Sequence, residues 1–459
     1  MIPLHKSGSL INVSNYRGIA KLSAIPKLFE KLVTDIVSHH VSSILVPCQH
    51  GFRKGRSTVT NLVQFTTGII DGFISGCQTD AIYTDFSKAF DKVNHDILLY
   101  KLDFMGFDNV LLKWFSSYLK DREQCVLFKQ TYSRFIRVSS GVPQGSHLGP
   151  VLFSLFMNDL PSAIVDANIL MFADDVKLYV TYDDPVGHLL LQGDLDRFFS
   201  WCSINLMELN LKKCKHMIFS RSKVYFDEDY LLDGSILDCV SSIVDLGILL
   251  DRKLSFDSHI STMINKAYGV LGFMKRWAKE FSDPYVTKQL YTSLVRPVLE
   301  YGSVVWDPNG TGDIGRIESV QKQFLLFCLR NLGWSSNWNE FPGYRNRLAL
   351  IRLPTLKSRR TMLNTMFVLK TLNGEVDSEF IVGKLYLHIP FYNTRHYKLI
   401  YVEFFRTGYG CANPIRRMSC DFNSLYEFID FSKSISIIKS NIIAYLNTIQ
   451  RTDDPLFRQ

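Results

Sequence analysis

Two adjacent aspartates, Asp174 and Asp175, lie between two apolar runs that are rich in β-branched and aromatic residues. Such flanks are typical of a strand, a tight turn and a second strand, which places both carboxylates at the tip of a hairpin. Neighbouring carboxylates repel each other, and a divalent cation relieves that repulsion. A third carboxylate, Asp85, ends another apolar stretch upstream. Three carboxylates at the ends of neighbouring strands are an arrangement that holds two Mg²⁺ ions about 4 Å apart for phosphoryl-transfer chemistry.

An Asp-Asp pair taken alone is more often a solvated turn, so its weight depends on what lies nearby. A loop rich in glycine and proline, Gly141 to Pro150, lies between the two acidic sites. Because glycine has no side chain, such a loop lets a bulky ligand approach the backbone closely. The apolar segment from Val151 to Met157 then predicts a buried helix.

Hydrophobic periodicity predicts the elements that must position these sites. Residues Lys27 to Leu45 are predicted to form an amphipathic helix whose apolar stripe includes Leu28, Leu32 and Ile36. From Asp257 onwards the pattern changes to long helices with one apolar face each. The chain is therefore expected to combine a mixed α/β region with a helical region.

Composition limits the class of protein. The chain has 459 residues, of which 46% are hydrophobic, and this suffices for packed cores in two or three domains. A net charge of +8 favours an acidic partner such as nucleic acid, or else marks an ordinary mildly basic protein. The nine cysteines include no CxxC pair, which indicates reduced thiols rather than a disulfide framework or zinc site. With no recognisable signal peptide or membrane span, we expect an intracellular protein of the nucleus or cytoplasm.

The order of the motifs is similar to that of a known family. The segments "YTDFSKAFD", "GVPQGSHLGP" and "FADD" resemble motifs A, B and C of reverse transcriptases, and more narrowly those of non-LTR retrotransposons of the jockey type. Further segments resemble the fingers motifs, motif D and motif E: Asn15–Arg17, Gln49–Thr58, Asn210–Lys215 and Asp245–Asp251. The late segments "LYTSLVRPVLEYGSVVWDP", "LPTLKSRR" and "NPIRRM" resemble the carboxy-terminal part of these proteins. The resemblance covers nearly the whole chain.

This resemblance implies a right-hand polymerase of the α+β class. Fingers and palm, with an antiparallel sheet that carries the Asp-Asp hairpin, are expected over residues 1–250. A helical thumb is expected over 251–335 and a mainly helical carboxy-terminal region of uncertain fold over 336–459. The implied partners are an RNA template, a DNA primer and deoxynucleoside triphosphates, and the implied cofactor is two Mg²⁺ ions, with Mn²⁺ as a possible substitute. The oligomeric state stays open.

The resemblance also assigns roles to residues at the reaction centre. Asp85 and Asp174 are the expected chief metal ligands, and Asp175 a supporting one. Lys213 is similar to the motif D lysine, a proton donor to pyrophosphate, although an ordinary surface lysine is nearly as good an interpretation. Phe90 stands where related polymerases carry a bulky steric gate that excludes ribonucleotides; the alternative is a plain core aromatic.

Other residues are expected to contact the nucleotide or the nucleic acid. The nucleotide-binding set is Phe86, Phe90, Gln144, Gly145 and Arg17, and the nucleic-acid-binding set is Arg53, Lys54, Arg56, Lys266 and Lys275. The lysines and arginines of the second set fit a solvated surface as an alternative. The pattern departs from the family where Gly18 replaces proline, since glycine loosens the strand that carries Arg17. It also departs where His147 replaces a small or apolar residue in the Gly-rich loop.

Three questions stay open in the sequence. The basic stretch Arg345, Arg347, Arg352, Lys357, Arg359 and Arg360 fits phosphate binding and plain surface equally. The chain has no room for the endonuclease of related proteins, so we expect an amino-terminally truncated element that could instead be a catalytically inactive relic. An RNA-directed RNA polymerase is a further alternative, against which Ala173 and Phe90 both argue.

Overall fold

The computed structural model describes residues 1–6, 8–281, 283–333, 342–389 and 398–452. The chain divides into two units, of which the first comprises Met1–Asn61 and Gly76–Ser241. The second comprises Leu62–Ser75 and Ser242–Gln459. The division into fingers with palm, thumb and carboxy-terminal region stays a prediction, since the two units do not identify those parts.

Helices make up most of the regular structure. In chain order, helices α1 to α18 span Ala24–Val41, Thr58–Ile74, Ala89–Lys92, His95–Phe104, Asn109–Leu119, Leu148–Phe156, Val186–Ile204, Asp257–Trp277, Pro284–Leu290, Arg296–Glu300, Ser303–Trp306, Thr311–Asn331, Tyr344–Ile351, Leu356–Leu372, Glu379–Gly383, Gly408–Cys411, Pro414–Leu425 and Ile435–Thr452. None of the helices in the described part of the chain combines the length and hydropathy needed to cross a bilayer.

The strands are concentrated in the first unit and at the start of the second. Strands β1 to β15 span Ile2–His5, Tyr16–Ile19, Gln78–Thr84, Glu123–Gln124, Leu127–Phe128, Thr131–Tyr132, Ile136–Arg137, Asn168–Phe172, Asp175–Tyr182, Lys215–Phe219, Leu231–Leu232, Ser235–Ile236, Asp238–Cys239, Ser242–Asp245 and Ile248–Asp251. The mixture of a sheet with many helices confirms the predicted α+β class.

A five-stranded sheet with the order β13-β10-β3-β9-β8 forms the centre of the first unit. Strand β3 is flanked by antiparallel neighbours on both sides, and β8 and β9 form the predicted hairpin, in which Phe172 pairs with Asp175. The turn between them consists of Ala173 and Asp174, with Ala173 at a φ of +58°. The strand–turn–strand prediction is therefore confirmed.

The helix after the Gly-rich loop is buried, as predicted. Helix α6 begins at Leu148, and its residues Leu152, Phe153 and Phe156 are fully buried against the sheet-bearing core. Burial of three such side chains supplies several kcal/mol at about 2 kcal/mol each. The helix thereby anchors the end of the loop in the core.

Only part of the predicted apolar stripe of the first long helix is buried. Helix α1 buries Val37 and Val41, but Leu28, Leu32 and Ile36 are each more than half exposed. The predicted amphipathic helix is therefore confirmed, and only part of its apolar stripe is buried. Periodicity reports which residues share a face, and does not report whether that face has a partner along its full length.

The basic stretch of the second unit contributes to the fold. The Arg359 guanidinium binds both carboxylate oxygens of Glu300, and Arg360, which is fully buried, donates from Nε to Asp307 Oδ1 at 2.6 Å. Arg417, in the late "NPIRRM" segment, donates to the carbonyl of Val304. For Arg359 and Arg360, both interpretations considered above, phosphate contact and plain surface, are wrong.

Candidate catalytic site

Asp85 and Asp174 reach the same end of the central sheet of the first unit. Asp85 directly follows β3, and Asp174 is the turn residue before β9, the strand that pairs with β3 through Thr84 and Val176. Burial raises the pKa of the Asp174 carboxyl, and the charge of Asp85 raises it further. The structure thus brings together the two carboxylates that the sequence assigned to the metal.

Asp175 is arranged differently from its neighbour. It is exposed and begins β9, where it pairs with Phe172 across the hairpin. Over the described residues, no group of three or more His, Cys, Asp or Glu side chains is gathered closely enough to hold a metal ion by itself. Mg²⁺ usually takes one or two carboxylates together with substrate phosphates and water, so two carboxylates suffice for a protein share of such a site.

Lys213 contacts one of these carboxylates. Its Nζ lies 3.1 Å from Asp85 Oδ2, and the backbone N–H of Asn210 donates to the Asp85 carbonyl at 2.7 Å. The segment that resembles motif D is therefore bound to the end of β3. The sequence did not predict this pairing, because it joins residues 128 positions apart.

A buried glutamine fixes the hairpin that carries Asp174. The Oε1 atom of Gln49, which is 1% exposed, accepts hydrogen bonds from the backbone N–H groups of Gly51 at 2.8 Å and Ala173 at 3.1 Å. The backbone N–H of His50 also donates to the Met171 carbonyl at 2.9 Å. The "QHGFR" segment thus lies along β8 and positions the turn residue that precedes Asp174.

Gly51→Ala is expected to displace the hairpin. A Cβ atom at this position would lie 2.3 Å from the backbone nitrogen of Ala173, so the two segments would have to separate. Since a misplacement of about 1 Å at a reaction centre can cost about 100-fold in rate, we expect a loss of that order in nucleotide incorporation. Single-nucleotide extension measures it, with Gly315→Ala as the matched control, because a Cβ on Gly315 meets nothing within 4 Å. Equal rates for the two variants would contradict the proposed positioning.

A buried glutamate holds the Gly-rich loop. Glu30 of α1 accepts the backbone N–H of His147 at 3.0 Å and the hydroxyl of Tyr118 at 2.7 Å. Sequence reasoning did not identify Glu30, since a single glutamate in an amphipathic helix normally marks the solvated face. The loop position that departs from the family, His147, is thus held through its backbone.

Gln144 and Gly145 lie beside the end of β2 and the residue that follows it, Ala20. The carbonyl of Gln144 accepts the Ala20 N–H at 2.7 Å, and its side-chain amide donates to Asp91 Oδ1 at 3.2 Å. Gly145 has a φ of +98°, and a Cβ there would lie 3.2 Å from the Ala20 carbonyl oxygen. Burial raises the pKa of both Asp174 and Asp91, and the positive charge of Arg17, an exposed residue of β2, partly offsets this rise in each carboxyl. Arg17, Gln144 and Asp174 are therefore grouped at one site.

Phe90 is held between two other rings. It stacks on Phe153 with ring centroids 4.3 Å apart and meets the edge of Phe52 at 6.2 Å. Such pairs fix ring orientation. Phe86, by contrast, is buried beside Phe198, so its side chain is not accessible to a nucleotide.

Some of the residues predicted to contact nucleic acid have side chains that are bound within the protein, and others are exposed. Arg53 Nη1 donates to the carbonyls of Leu45 and Val46 at 3.0 and 3.1 Å, and Arg56 donates to the Pro47 carbonyl, whereas Lys54 is exposed. Both arginines therefore bind backbone carbonyl groups within the first unit. On α8 of the second unit, Lys266 is exposed, while burial lowers the pKa of Lys275, whose ammonium lies 5.9 Å from the centre of the Phe327 ring.

The chain is similar to a known family and to known proteins. Residues 4–272 match the family described as reverse transcriptase (RNA-dependent DNA polymerase). A probable RNA-directed DNA polymerase from transposon BS of Drosophila melanogaster is 30% identical over 344 residues, which cover 71% of this chain and 37% of that protein. The RNA-directed DNA polymerase from the mobile element jockey of the same species is 27% identical over 71% of this chain and 37% of its own length. The chain thus spans little more than a third of these relatives.

A solved structure of apo telomerase from Candida tropicalis is 11% identical and superposes with a TM-score of 0.39 over 71% of this chain and 53% of that one. This similarity is too low to support an argument. The match of the family to residues 4–272 covers more than half of the chain, and the carboxylate-bearing hairpin and the Gly-rich loop both lie within it. The chain therefore belongs to the reverse transcriptase family, among the polymerases of non-LTR retrotransposons.

Proposed function

We propose that this chain is an RNA-directed DNA polymerase that copies an RNA template from a DNA primer. The observation that carries the proposal is the placement of Asp85 and Asp174 at one end of the central sheet, with the pKa of Asp174 raised by burial and by the charge of Asp85. The membership of the chain in the reverse transcriptase family supports the same reaction. The substrates are deoxynucleoside triphosphates and a primer 3′-hydroxyl, and an intracellular setting in nucleus or cytoplasm belongs to the same proposal.

The donor set fits a divalent cation. Two carboxylates that repel each other are what a hard cation such as Mg²⁺ binds, and Mn²⁺ accepts the same oxygen ligands. Asp85 and Asp174 would hold the ions, with Asp175 in support. When bound, a pair of Mg²⁺ ions lowers the pKa of the attacking hydroxyl and stabilises the leaving phosphates.

The remaining residues position the substrates. Arg17 supplies a positive charge beside Asp174 and would contact the triphosphate, and Gln144 with Gly145 would line the nucleotide. Lys213 contacts Asp85 through its ammonium and would be the proton donor to the leaving pyrophosphate. Lys54, Arg53 and Arg56 of the first unit, and Lys266 and Lys275 of the second, would contact template or primer phosphates.

Phe90→Val is expected to admit ribonucleotides. The ring is held by Phe153 and Phe52, so it presents a fixed obstacle to a ribose 2′-hydroxyl. Removing it should raise the ratio of ribonucleotide to deoxynucleotide incorporation about 10- to 200-fold, the range for one extra group against a pocket wall. Competition assays with paired nucleotides measure this ratio. Phe90→Tyr keeps the ring and should retain discrimination; unchanged discrimination in Phe90→Val would show that Phe90 is only part of the core.

Primer extension tests the proposed function. The purified chain is incubated with an RNA template, an annealed DNA primer and Mg²⁺, with either deoxynucleotides or ribonucleotides. Extension with deoxynucleotides supports the proposal, and extension with ribonucleotides only would indicate an RNA-directed RNA polymerase. Binding of the primer–template without extension would favour the second candidate function, an inactive relic that only binds nucleic acid.

A further inference from the structure

A cavity in the second unit lies away from every residue assigned so far. It has a volume of about 80 Å³ and is lined by α2, by the segments after α15 and before α16, and by α17. A water needs about 10–15 Å³ of such volume, so the cavity accommodates roughly half a dozen water-sized groups, which is the scale of one planar ring.

One residue that lines the cavity, Thr67, has a buried polar group without a hydrogen-bond partner in the described part of the chain. Thr67 of α2 is 1% exposed, and its hydroxyl has no hydrogen-bond partner in the described part of the chain. A helical threonine normally donates to the carbonyl four residues earlier, as Thr66 does to Leu62 at 2.7 Å. A buried hydroxyl without a partner is costly, and a ligand that enters the cavity would supply one.

Two tyrosines form one edge of the cavity. Tyr386 and Tyr401 lie opposite each other in a short antiparallel pairing, in which the Tyr401 N–H donates to the Tyr386 carbonyl at 2.8 Å and Leu387 bridges to Ile400. Directly opposed residues project to the same face of such a pair. Tyr386 and Tyr401 are 58% and 53% exposed, so neither residue is enclosed by the rest of the described chain.

The charges of the lining are balanced. Lys384 Nζ lies 2.8 Å from Asp71 Oδ2, and Asn413 Nδ2 donates to Asp71 Oδ1 at 3.3 Å. Arg416 donates from Nε to the Glu403 carbonyl at 3.0 Å and from Nη1 to the Cys411 carbonyl at 3.3 Å. Since the lining holds two cationic and two acidic residues, a neutral heterocycle fits the cavity better than a phosphate or a metal ion.

We propose that this cavity binds one unpaired base of a single-stranded RNA, which stacks on Tyr386 and Tyr401 and reaches the Thr67 hydroxyl with its polar edge. Stacking on aromatic side chains together with hydrogen bonds to the base edge is the general way in which proteins bind single-stranded RNA. The choice of RNA rests on the proposed function, whereas the features of the cavity do not.

The stacking part of the proposal predicts a loss of RNA affinity. The Tyr386→Ala/Tyr401→Ala variant should bind a fluorescein-labelled single-stranded 12-nucleotide RNA about 5- to 150-fold more weakly per stacked base, as followed by anisotropy. Tyr386→Phe/Tyr401→Phe keeps the ring faces and should bind as the unchanged chain does. Tyr100→Ala, at an exposed tyrosine of α4, controls for loss of an aromatic elsewhere. Double-stranded RNA, which offers no unpaired base, should show little difference among the four proteins.

A separate variant tests the proposed hydrogen bond from the base to the Thr67 hydroxyl. Thr67→Val keeps the shape and removes the group without a partner, so the thermal transition should be unchanged or higher. RNA affinity should fall about 2- to 10-fold, the effect of one hydrogen bond. A 4-thiouridine RNA should crosslink to the peptides that contain Tyr386 or Tyr401.

These results separate the cavity from the polymerase site. All binding and crosslinking measurements are repeated with Asp174→Asn, which should abolish extension and leave RNA binding at the cavity intact. Equal affinities of the Tyr→Ala and Tyr→Phe variants for single-stranded RNA, or crosslinks that map only to the first unit, would overturn the cavity proposal whatever the extension assay shows. Lack of extension with the tyrosine-dependent affinity preserved would overturn the polymerase proposal alone.

Discussion

Asp174→Asn should lower the rate of nucleotide incorporation on an RNA template by on the order of 10³-fold or more, because an amide is a poor ligand for the cation that stabilises the reacting phosphates. The side chain keeps its size, and Ala173, the preceding turn residue, stays bound to Gln49. Affinity for the primer–template should therefore be nearly unchanged. Single-turnover incorporation of one deoxynucleotide gives the rate, and anisotropy of a labelled primer–template gives the affinity.

Asp175→Asn is the matched control for this result. Asp175 is adjacent in sequence but exposed at the start of β9, so its loss should have a much smaller effect. Equal losses in the two variants would show that the hairpin acts through its total charge and that Asp174 has no special position. Full activity in Asp174→Asn would exclude this residue as a ligand.

The environment of Asp174 also sets a pH dependence. Burial and the charge of Asp85 raise the pKa of Asp174 above the usual 3.8, and the deprotonated form is the one that binds cations. As the pH falls, Asp174 therefore becomes protonated at a higher pH than an ordinary aspartate does. Binding of Mn²⁺ by the chain without nucleotide should therefore weaken at a higher pH than it would at an aspartate with the usual pKa.

Arg360→Met is expected to destabilise the second unit by about 3–5 kcal/mol, the usual cost of removing one partner of a buried ion pair. Arg360 and Asp307 both have fully buried side chains and are joined by the 2.6 Å hydrogen bond from Nε to Oδ1. Without the guanidinium, Asp307 keeps Lys357 at 3.3 Å and Asn364 at 3.4 Å. Calorimetry should show the transition of this unit lowered by roughly 6–20 °C.

Two variants sharpen this prediction. Arg345→Met removes an exposed arginine from the same basic stretch and should leave the transition where it is. The double variant Arg360→Met/Asp307→Leu removes both charges and should recover much of the loss, as replacement of buried pairs by apolar groups often does. If Arg360→Met melts like Arg345→Met, the buried pair does not stabilise the unit.

The local features of the site were predictable from the sequence. The hairpin at Asp174, the strand that ends at Asp85 and the buried helix after the Gly-rich loop follow from periodicity within a few residues of each motif. In each case, the apolar run is long enough to define its own element. The roles of Phe90, Gln144 and Lys213 came from resemblance and stay predictions.

The features that escaped prediction depend on contacts between distant segments. Gln49 and Glu30 position the hairpin and the loop across 124 and 117 residues, and no local pattern distinguishes them from other polar residues. For Arg360, the sequence suggests only phosphate binding or a surface position. Its burial depends on a charged partner distant in sequence, which sequence alone does not identify. The exposure of part of the α1 stripe was not predictable for the same reason, since periodicity does not identify a packing partner.

Whether Asp85 and Asp174 jointly hold the divalent cations for RNA-directed synthesis is measured most directly with Mn²⁺. Electron paramagnetic resonance counts the Mn²⁺ bound by the chain on an RNA template with a chain-terminated DNA primer and the next deoxynucleotide. Two ions are expected for the unchanged chain, with at least one lost in Asp85→Asn/Asp174→Asn at equal nucleic-acid binding. The same number of bound ions in both proteins would contradict the assignment of these carboxylates as the metal site.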